Sequence, residues 1–442
     1  MTAPLRIPFP VVDEVSRHCV QEEEPETVLI EVHLPGELDP GRLRKAFLEA
    51  LRRHPRILMR EAPGPWYRRR YEWELTDEPD VEAVSFAPPG PASLGEARAR
   101  AMAVAPPLTA SPPIRLEVVP APGDTESGAG GGADGRPAAA TGTALLLTLN
   151  HTALDGPACL RILATAAEIY GGRDNSAAAP PVRPAEPPRT DAAGLPSPWT
   201  PPARVARGAP DPHRGARRGN GLLHTELLLP HRPKGSPYTV NDQLMVATAL
   251  TLAHWNREHA APVRPLRITM PVDDRPRDAT MPIGNGTRLV EVPFSAGELD
   301  TPDLPALLRR TALRTRALKA LPRPQLGHGA TLLTAPWAPV AVRGALTRGL
   351  RRAAAPWMST TLLSNIGRIP YPLDFGEGAG CAHAVWFSAP ARMPRGLTFT
   401  LASTAGRLHL AVRWSRALLG HDDGVHLRDL FTHHLHSTEA TP

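Results

Sequence analysis

The chain has 442 residues, of which 42% are hydrophobic and 21% are charged, with 36 glycines and 53 prolines. This composition excludes a disordered chain and a collagen-like repeat, and the length predicts at least two domains with a large buried core. No run of about 18 apolar residues and no export signal is present, which argues against a membrane-spanning or secreted protein. Three dispersed cysteines, Cys19, Cys159 and Cys381, do not form a disulfide framework, so we expect a soluble cytoplasmic protein.

Arginine supplies almost all of the positive charge. The net charge is +6, and lysine occurs only at Lys45, Lys234 and Lys319. Codon bias in a GC-rich genome is one explanation; an arginine-lined surface for an acidic partner is the other, because arginine binds phosphate and carboxylate in a bidentate manner. Nucleic acid is not the expected partner, because aromatic residues are few and no zinc-finger spacing is present.

The first half of the chain predicts strands and helices in mixed order. Asp39 followed by Pro40 supplies an N-cap and a first-turn proline. Residues 121–143 are rich in glycine and alanine and predict a flexible hairpin insertion. We expect an N-terminal lobe over residues 1–175, with strands at Val28–Leu34, Ile114–Val118 and Ala144–Leu149, a helix over Asp39–His54 and another helix beyond Pro157.

A proline- and arginine-rich segment, residues 176–220, separates this half from the next. Its composition predicts an extended crossover linker rather than a packed element, followed by a C-terminal lobe over residues 221–442. Thr239 and Asp242 have the spacing of a capping box. The predicted strands lie at Leu222–Leu229, Leu266–Met270, Arg288–Val292, Thr360–Leu363, Ala384–Phe387, Leu397–Ala402 and Leu408–Val412, and the later helices at Leu304–Leu318 and Asp422–His436. This order indicates an α+β class, a two-lobed α/β sandwich without regular βαβ alternation.

The most informative stretch is residues Asn150–Gly156, NHTALDG. It directly follows the apolar strand Ala144–Leu149, so the imidazole of His151 would be held rigidly at a strand end, where it can act as a general base near neutral pH. Gly156 permits a tight turn, and Asp155 can fix the loop through a charge partner. A structural histidine at a strand end is the alternative.

This stretch resembles the HHxxxDG signature of the condensation-domain and chloramphenicol-acetyltransferase-like acyltransferase superfamily. That superfamily includes the nonribosomal peptide condensation domains, the wax ester and diacylglycerol synthases and the BAHD acyltransferases. Asn150 replaces the first histidine of the signature, whereas the second, which the family uses in catalysis, is kept as His151. Further segments match family motifs in the correct order: Leu51–Pro55, Pro113–Leu116, Tyr238–Leu244, Pro271–Arg277 with Gly284 and Asn285, Ser364–Gly367, and Asp374–Gly378, in which Glu377 replaces the tryptophan of the BAHD motif.

The resemblance implies two chloramphenicol-acetyltransferase-like subdomains arranged in a V, with a tunnel along their interface. It implies that His151 deprotonates the acceptor, while Asp155 and Gly156 shape the site and Asp155 forms a salt bridge with Arg275. We take Ser364 and Asn365 as candidates for stabilising the oxyanion. The motif around Asp374 and Gly376 is expected to be structural.

The expected activity is that of a free-standing condensation-type acyltransferase of specialised metabolism, such as nonribosomal peptide formation. No cofactor would be bound permanently: the donor would be an acyl or aminoacyl thioester on the phosphopantetheine of an acyl or peptidyl carrier protein, or on CoA. The acceptor would be an amine or a hydroxyl, giving an amide or an ester. Because carrier proteins are typically acidic, the arginines between Arg204 and Arg218 and the group Arg348, Arg351 and Arg352 are candidate docking points.

Two alternatives stay open. A non-catalytic condensation-like recruitment module is the first, and a wax ester or diacylglycerol synthase-type lipid acyltransferase is the second. The apolar stretch Thr331–Leu346 would line an acyl channel or touch a membrane in the second case, although we favour ordinary core for it. We expect no metal site: the histidines His433, His434 and His436 have no further ligand at suitable spacing, so we predict a solvated helix end.

Overall fold

The computed structural model describes residues 4–88, 93–121, 142–172, 200–208, 219–273, 275, 281–300, 303–321 and 330–439. Its first half contains strands and helices that alternate irregularly, as expected for the α+β class. The elements are β1 (Arg6–Pro8), α1 (Val11–His18), β2 (Thr27–Leu34), α2 (Pro40–Arg53), β3 (Met59–Glu61), β4 (Glu72–Leu75), β5 (Val84–Phe86), α3 (Ser93–Ala103), β6 (Ile114–Ala121), β7 (Gly142–Asn150) and α4 (Gly156–Gly171).

The second half begins at β8 and ends on a long helix. Its helix α5 starts at the predicted capping box, in which the side chains of Thr239 and Asp242 cap each other's backbone amides. The elements are β8 (Asn220–Leu228), α5 (Val240–Glu258), β9 (Leu266–Val272), β10 (Arg288–Phe294), α6 (Ala296–Leu299), α7 (Leu304–Ala320), α8 (Ala330–Thr334), α9 (Val340–Ala353), β11 (Thr361–Arg368), β12 (Ala384–Ser388), β13 (Leu397–Thr404), β14 (Arg407–Ser415) and α10 (His421–Ser437).

The first lobe is a five-stranded sheet in the order β12-β2-β7-β6-β5. The apolar strand β7 lies at its centre, fully buried and antiparallel to both neighbours, and Asn150 at its end pairs with Thr27 of β2. Helices α2 and α4 contact each other and pack on this sheet through residues such as Phe47 and Leu163. Because β7 ends at Asn150, the next residue, His151, stands at the rim of a rigid, buried strand.

The second lobe is a six-stranded sheet in the order β10-β9-β11-β13-β14-β8, covered by α5 and α10. Strand β11 lies inside this sheet and runs parallel to both β9 and β13. The register of β11 against β13 shifts between Asn365 and Gly367. Such a bulge redirects side chains locally, so the predicted motif at Ser364–Gly367 lies where the strand bends.

The two lobes are not separated in the chain as the sequence predicts. Strand β12, which belongs to the second half, pairs antiparallel with β2 and forms the edge of the first sheet. The buried guanidinium of Arg413, on β14, donates to the carbonyl and hydroxyl oxygens of Thr27 on β2. The division into lobes 1–175 and 221–442 is therefore corrected: residues around β12 belong structurally to the first lobe.

A third, small sheet in the order β1-β4-β3 lies beside α1. Helices α8 and α9 of the second half contact α1, so this region also joins the two halves of the chain. The expectation of ordinary core for Thr331–Leu346 is wrong over much of its length. Leu332 on α8 is 71% exposed, and Trp337 in the turn between α8 and α9 is 53% exposed. Only one face of this helical segment packs against the rest of the protein.

The linker is described in part. Residues 200–208 are extended but packed: the amide of Ala206 donates to the side chain of Asn256 on α5, and Ala203 and Val205 are buried in the second core. This corrects the expectation that no part of the linker packs. The remainder of the linker before β8 and most of the glycine-rich insertion, residues 122–141, lie outside the described residues. Among the helices in the described ranges, none has both the length and the apolar character needed to cross a membrane.

Candidate active site

A cavity of about 690 Å³ lies between the two lobes and receives side chains from both. The wall is mostly apolar in area, as is usual for sites that bind small molecules, but it also carries several charged and polar side chains. The first half contributes residues of α1 and of the loop that joins β7 to α4. Representative lining residues are Val12, Val15, His151, Asp155, Gly156 and Leu160 from the first half, and Asn241, Met270, Leu350, Met358, Ser364 and Phe387 from the second.

His151 is held at this wall by both its backbone and its ring. Its amide donates to the carbonyl oxygen of Glu26, 2.7 Å away. Its Nδ1 atom lies 2.8 Å from the carbonyl oxygen of Leu154. A carbonyl oxygen only accepts hydrogen bonds, so Nδ1 carries the proton and Nε2 of the neutral ring holds the free lone pair. Within the described residues Nε2 makes no hydrogen bond, so it is available to a ligand in the cavity.

Asp155 does not accept a proton from His151 but joins the two lobes. Its Oδ1 atom caps α4 by accepting from the amide of Ala158 at 3.1 Å. Its Oδ2 atom accepts from Nη2 of Arg275 at 2.7 Å and from the amide of Gly286 at 2.8 Å. The predicted contact between Asp155 and Arg275 is thus present in the structure.

Arg275 is nearly buried and binds two carboxylates at once. Besides Asp155, it pairs with Asp273, its Nε atom lying 2.9 Å from Oδ1. Its Nη1 atom donates to the carbonyl oxygen of Gly284 at 3.0 Å. The hydrogen bonds and charges of the two carboxylates raise the pKa of Arg275 against the opposing effect of burial. The arrangement fixes the loop before β10 against the start of α4.

Asn150 does not line the cavity, and its inclusion with the catalytic residues is corrected here. Its side chain is buried, donates to the carbonyl oxygen of Pro106 at 2.9 Å and accepts from the amide of Thr152 at 3.1 Å. The residue that replaces the first signature histidine therefore supports the loop that carries His151.

Gly156 is required for close packing rather than for an unusual backbone angle. It is the first residue of α4, and its φ is not positive. A Cβ atom at this position would lie 3.1 Å from the ring of Phe387 on β12. Instead of the expected tight turn, the structure shows a close contact between α4 and β12, the strand that the second half contributes to the first sheet.

A buried carboxylate that the sequence does not reveal, that of Asp13 on α1, lies beside the histidine loop. It accepts from the indole nitrogen of Trp73 and from the amide of Asn285, each at 2.9 Å. The same Asn285 amide donates to the carbonyl oxygen of Thr152 at 3.0 Å. Burial raises the pKa of Asp13 to about 6, although these hydrogen bonds and the nearby charge of Arg56 oppose the increase. No motif marks Asp13 in the sequence.

Both oxyanion candidates line the cavity, but their side chains differ in availability. The side chain of Asn365 accepts from the amide of Gly367 at 2.9 Å and donates to Asn241 at 3.3 Å, so it stabilises the bulge. The hydroxyl of Ser364 makes no hydrogen bond within the described residues and faces the cavity. Of the two side chains, that of Ser364 is thus the more available to donate a hydrogen bond to a ligand in the cavity.

The segment with Asp374 and Gly376 lies away from the cavity, at the end of α4. The carboxylate of Asp374 accepts from the amide of Gly376 at 2.8 Å. Gly376 has φ +80° and lies against Gly171, the last residue of α4. Positive φ and this close contact both require glycine. The segment with Asp374 and Gly376 therefore packs closely against the end of α4.

The arginines proposed for docking differ in their exposure. Arg351 lines the cavity, whereas Arg348 and Arg352 are exposed. Arg204 is half-buried and Arg207 exposed, and the later arginines of the linker lie outside the described residues.

Two more arginines, Arg392 and Arg395, line the cavity and were missed, because the segment between β12 and β13 that carries them matches no motif. Over the described ranges, no group of three histidine, cysteine or acidic side chains is placed to hold a metal ion.

No protein-family model matches the chain. Two proteins from two strains of Mycobacterium tuberculosis, each named as uncharacterized (Rv2305 and MT2362), are 29% identical to it over 394 residues. The alignment covers 83% of this chain and 84% of each relative.

Solved structures of three acyl-transferring proteins resemble the whole chain. The condensation domain of the monacolin K polyketide synthase MokA has a TM-score of 0.63 at 13% identity, covering 100% of this chain and 99% of that one. The trichothecene 15-O-acetyltransferase TRI3 of Fusarium sporotrichioides has a TM-score of 0.61 at 12% identity, covering 98% and 95%. The starter condensation domain of the rhizomide synthetase RzmA, solved with C8-CoA, has a TM-score of 0.61 at 14% identity, covering 100% and 96%.

Proposed function

We propose that this chain, which has the fold of the condensation-domain and chloramphenicol-acetyltransferase-like acyltransferase superfamily, transfers an acyl or aminoacyl group from a thioester to an amine or a hydroxyl. One observation carries the proposal. The ring of His151 is fixed by the Nδ1 contact with Leu154, so Nε2 is left as a base at the wall of the cavity between the lobes. A base so placed is what attack on a thioester by a neutral amine or alcohol requires.

In the proposed reaction, Nε2 of His151 takes the proton of the acceptor as its nitrogen or oxygen attacks the thioester carbonyl. A carbon–nitrogen or carbon–oxygen bond forms, and the carbonyl oxygen becomes an oxyanion. The hydroxyl of Ser364 is the proposed donor to that oxyanion. The intermediate then expels the thiolate as the carbon–sulfur bond breaks, and the imidazolium returns its proton to the sulfur, which leaves as a free thiol.

Asp155 and Arg275 act as positioning residues in this scheme. Both oxygens of Asp155 are occupied by hydrogen bonds to the start of α4 and to the second lobe. Because the histidine loop ends at Asp155, the ion pair with Arg275 fixes the distance between His151 and the groups of the second lobe. This supports a role in orientation rather than in proton transfer.

The donor is proposed to be a CoA thioester or a carrier-protein thioester, as in condensation enzymes. The complex of the RzmA starter domain with C8-CoA supports the first source. The exposed Arg207, Arg348 and Arg352 would suit an acidic carrier protein.

A lipid-type acyltransferase is the second candidate, and the exposed apolar residues of α8, α9 and the turn between them favour it. Leu332 on α8, Trp337 in the turn and Val342 on α9 are exposed. Leu333 on α8 and Leu350 on α9 line the cavity. Such a surface next to a site is suited to contact with an acyl chain or a membrane surface. Co-sedimentation with phosphatidylglycerol vesicles, lost in Leu332→Ser/Trp337→Ser, would favour this candidate over a carrier-dependent enzyme.

The test is a turnover screen that measures release of the free thiol. Acyl-CoA and acyl-carrier donors of different chain lengths are combined with amine and hydroxyl acceptors, and the product is identified by mass spectrometry. We expect turnover by the wild type and by His436→Ala, a histidine of the C-terminal helix outside the cavity, and a strongly reduced rate for His151→Ala. Partner binding without turnover by any of the three proteins would instead indicate a non-catalytic recruitment module.

A further inference from the structure

The cavity wall holds a cluster of three arginines, Arg351, Arg392 and Arg395. Arg351 lies on α9, and the other two lie on the segment between β12 and β13. Arg392 and Arg395 are both partly buried and line the cavity. All three line the same cavity, and the charge of Arg351 lowers the pKa of both Arg392 and Arg395, so the three lie within electrostatic range of one another. We refer to these three residues as the arginine cluster.

The partners of the arginine cluster leave most of its charge without a direct counterion. Arg392 pairs with the carboxylate of Glu26 and donates to the carbonyl oxygen of Cys19 at 2.9 Å. Among the described residues, Arg395 donates only to neutral hydroxyl groups, those of Ser359 at 3.1 Å and Thr269 at 3.4 Å.

Arg351 makes no hydrogen bond or ion pair with any described residue. Two further carboxylates are near but engaged elsewhere: Glu24 accepts from the amide of Met393, and Glu291 lies 3.8 Å from Arg267.

Holding these cations together inside the protein is unfavourable in the absence of an anion. Burial lowers the pKa of Arg395 to about 10 together with the positive charges of Arg351 and Arg392, although the charges of Glu291 and Glu26 oppose this decrease. Burial likewise lowers the pKa of Arg392 despite its contact with Glu26. A buried charge is tolerated when it is paired, so an anionic ligand in the cavity would relieve this repulsion.

The position of the arginine cluster limits which anion fits. Glu26 connects it to the proposed base: its carbonyl oxygen accepts from the amide of His151 at 2.7 Å, and its carboxylate binds Arg392. An anion on the cluster therefore lies close to the reacting groups. In CoA and in carrier proteins, by contrast, the pantetheine arm separates the thioester from the phosphate. If the thioester of such a donor lies at His151, its phosphate lies farther from His151 than the arginine cluster does.

We propose that the arginine cluster binds a carboxylate of the small-molecule substrate, carried either by the transferred acyl group or by the acceptor. Arginine suits this role because its planar group binds both oxygens of a carboxylate. That the bound anion belongs to a substrate rests on the proposed function, but the binding of an anion by the arginine cluster can be tested without turnover. It narrows the substrate class to carboxylated acyl groups or acceptors such as amino or hydroxy acids.

Calorimetric titration of the full chain with octanoate and with its neutral isostere octanamide tests the proposal. We expect octanoate to bind the wild type about tenfold more tightly, in line with charge-assisted hydrogen bonds. Arg395→Gln and Arg351→Gln should each remove most of that preference and leave the affinity for octanamide unchanged. Arg352→Gln, which alters the exposed neighbour of Arg351, is the matched control and should bind octanoate like the wild type.

Equal binding of octanoate and octanamide by the folded wild type would overturn the proposal, as would a preference that survives in both variants. Arg351 lies on a half-exposed helix, so Arg351→Gln keeps the test valid if Arg395→Gln does not fold. A second titration with pantetheine and 4′-phosphopantetheine separates the sources of the anion. A phosphate preference that both variants lose, without an octanoate preference, would assign the cluster to the donor phosphate and overturn the carboxylate proposal.

Failure of the proposed function gives a different pattern. If His151→Ala keeps full turnover while the octanoate preference depends on Arg351 and Arg395, the base assignment is wrong and the anion site stands. If His151→Ala is inactive and the preference is absent, the acyltransferase proposal stands and the anion site is wrong.

Discussion

The Nδ1 atom of His151 lies 2.8 Å from the carbonyl oxygen of Leu154, three residues later in the same loop. This contact determines the tautomer of the ring without a carboxylate partner, because the carbonyl oxygen only accepts a hydrogen bond. The carboxylate of the motif, Asp155, is turned to Arg275 and to the second lobe instead. The short loop therefore does two things: it orients the ring of His151, and it links the two lobes through Asp155.

Removal of the guanidinium from the Asp155–Arg275 pair should destabilise the protein strongly. Arg275→Ala leaves Asp155 and Asp273 nearly buried with their negative charges uncompensated, so we expect a loss of about 3–5 kcal/mol in the free energy of unfolding. Urea unfolding measures it. Arg407→Ala, which breaks the exposed pair with Glu226, is the control and should change the free energy by less than about 1 kcal/mol. Equal effects for the two variants would contradict the bridging role of Arg275.

The raised pKa of Asp13 predicts a specific dependence of stability on pH. Its pKa rises from 3.8 to about 6 on folding, so the native state binds the proton more tightly and this contribution to stability declines as the pH increases from about 4 to 6. Asp13→Asn removes that decline. We expect the unfolding free energy of the variant relative to the wild type to increase by about 2 kcal/mol between pH 4 and pH 7. The exposed Asp77→Asn is the control, and parallel pH profiles for Asp13→Asn and wild type would show that Asp13 has an ordinary pKa.

An added methyl group at Gly156 should disturb the contact between α4 and β12. Its Cβ atom would lie 3.1 Å from the ring of Phe387, so we expect Gly156→Ala to lower the free energy of unfolding by about 1–3 kcal/mol. Phe387→Leu in the same background should recover part of the loss. Gly349→Ala on α9, where a Cβ atom meets nothing within 4 Å, should be neutral or stabilising because alanine favours the helix. If both alanines have the same effect, packing against Phe387 does not explain Gly156.

Ser364→Ala tests the proposed oxyanion donor. We expect kcat to decrease by about a hundredfold with little change in the melting temperature, because the hydroxyl has no partner among the described residues. Ser403→Ala on the neighbouring strand β13, outside the cavity wall, is the matched control. Unchanged kcat in Ser364→Ala would transfer the oxyanion role to another group of the cavity.

Local signals in the sequence predicted the elements that carry the site. The apolar run before His151 predicted β7, Asp39 predicted the start of α2, and Thr239 with Asp242 predicted the start of α5. The short strands β3, β4 and β5 were not predicted, because three or four residues give too little periodicity. The pairing of β12 with β2 joins residues more than 350 positions apart, and no local pattern encodes such a contact.

The site itself was predictable where a motif marks it and not elsewhere. His151, Asp155, Arg275 and Ser364 were identified through motifs; His151, Asp155 and Ser364 line one cavity, and Arg275 binds Asp155. Asp13 and the arginine cluster come from segments without a motif, and they join the site only through the packing of α1, α9 and the loop after β12. Asn150 was placed with the catalytic residues because it occupies a signature position, yet its contacts turn it away from the cavity.

Whether Nε2 of His151 removes the proton of the acceptor is measured most directly by the rate of product formation by His151→Ala. We expect a rate about a hundredfold to ten-thousandfold lower than that of the wild type, with an unchanged melting temperature and partial recovery on addition of imidazole. Product formation at the wild-type rate by the folded variant would contradict this role of His151.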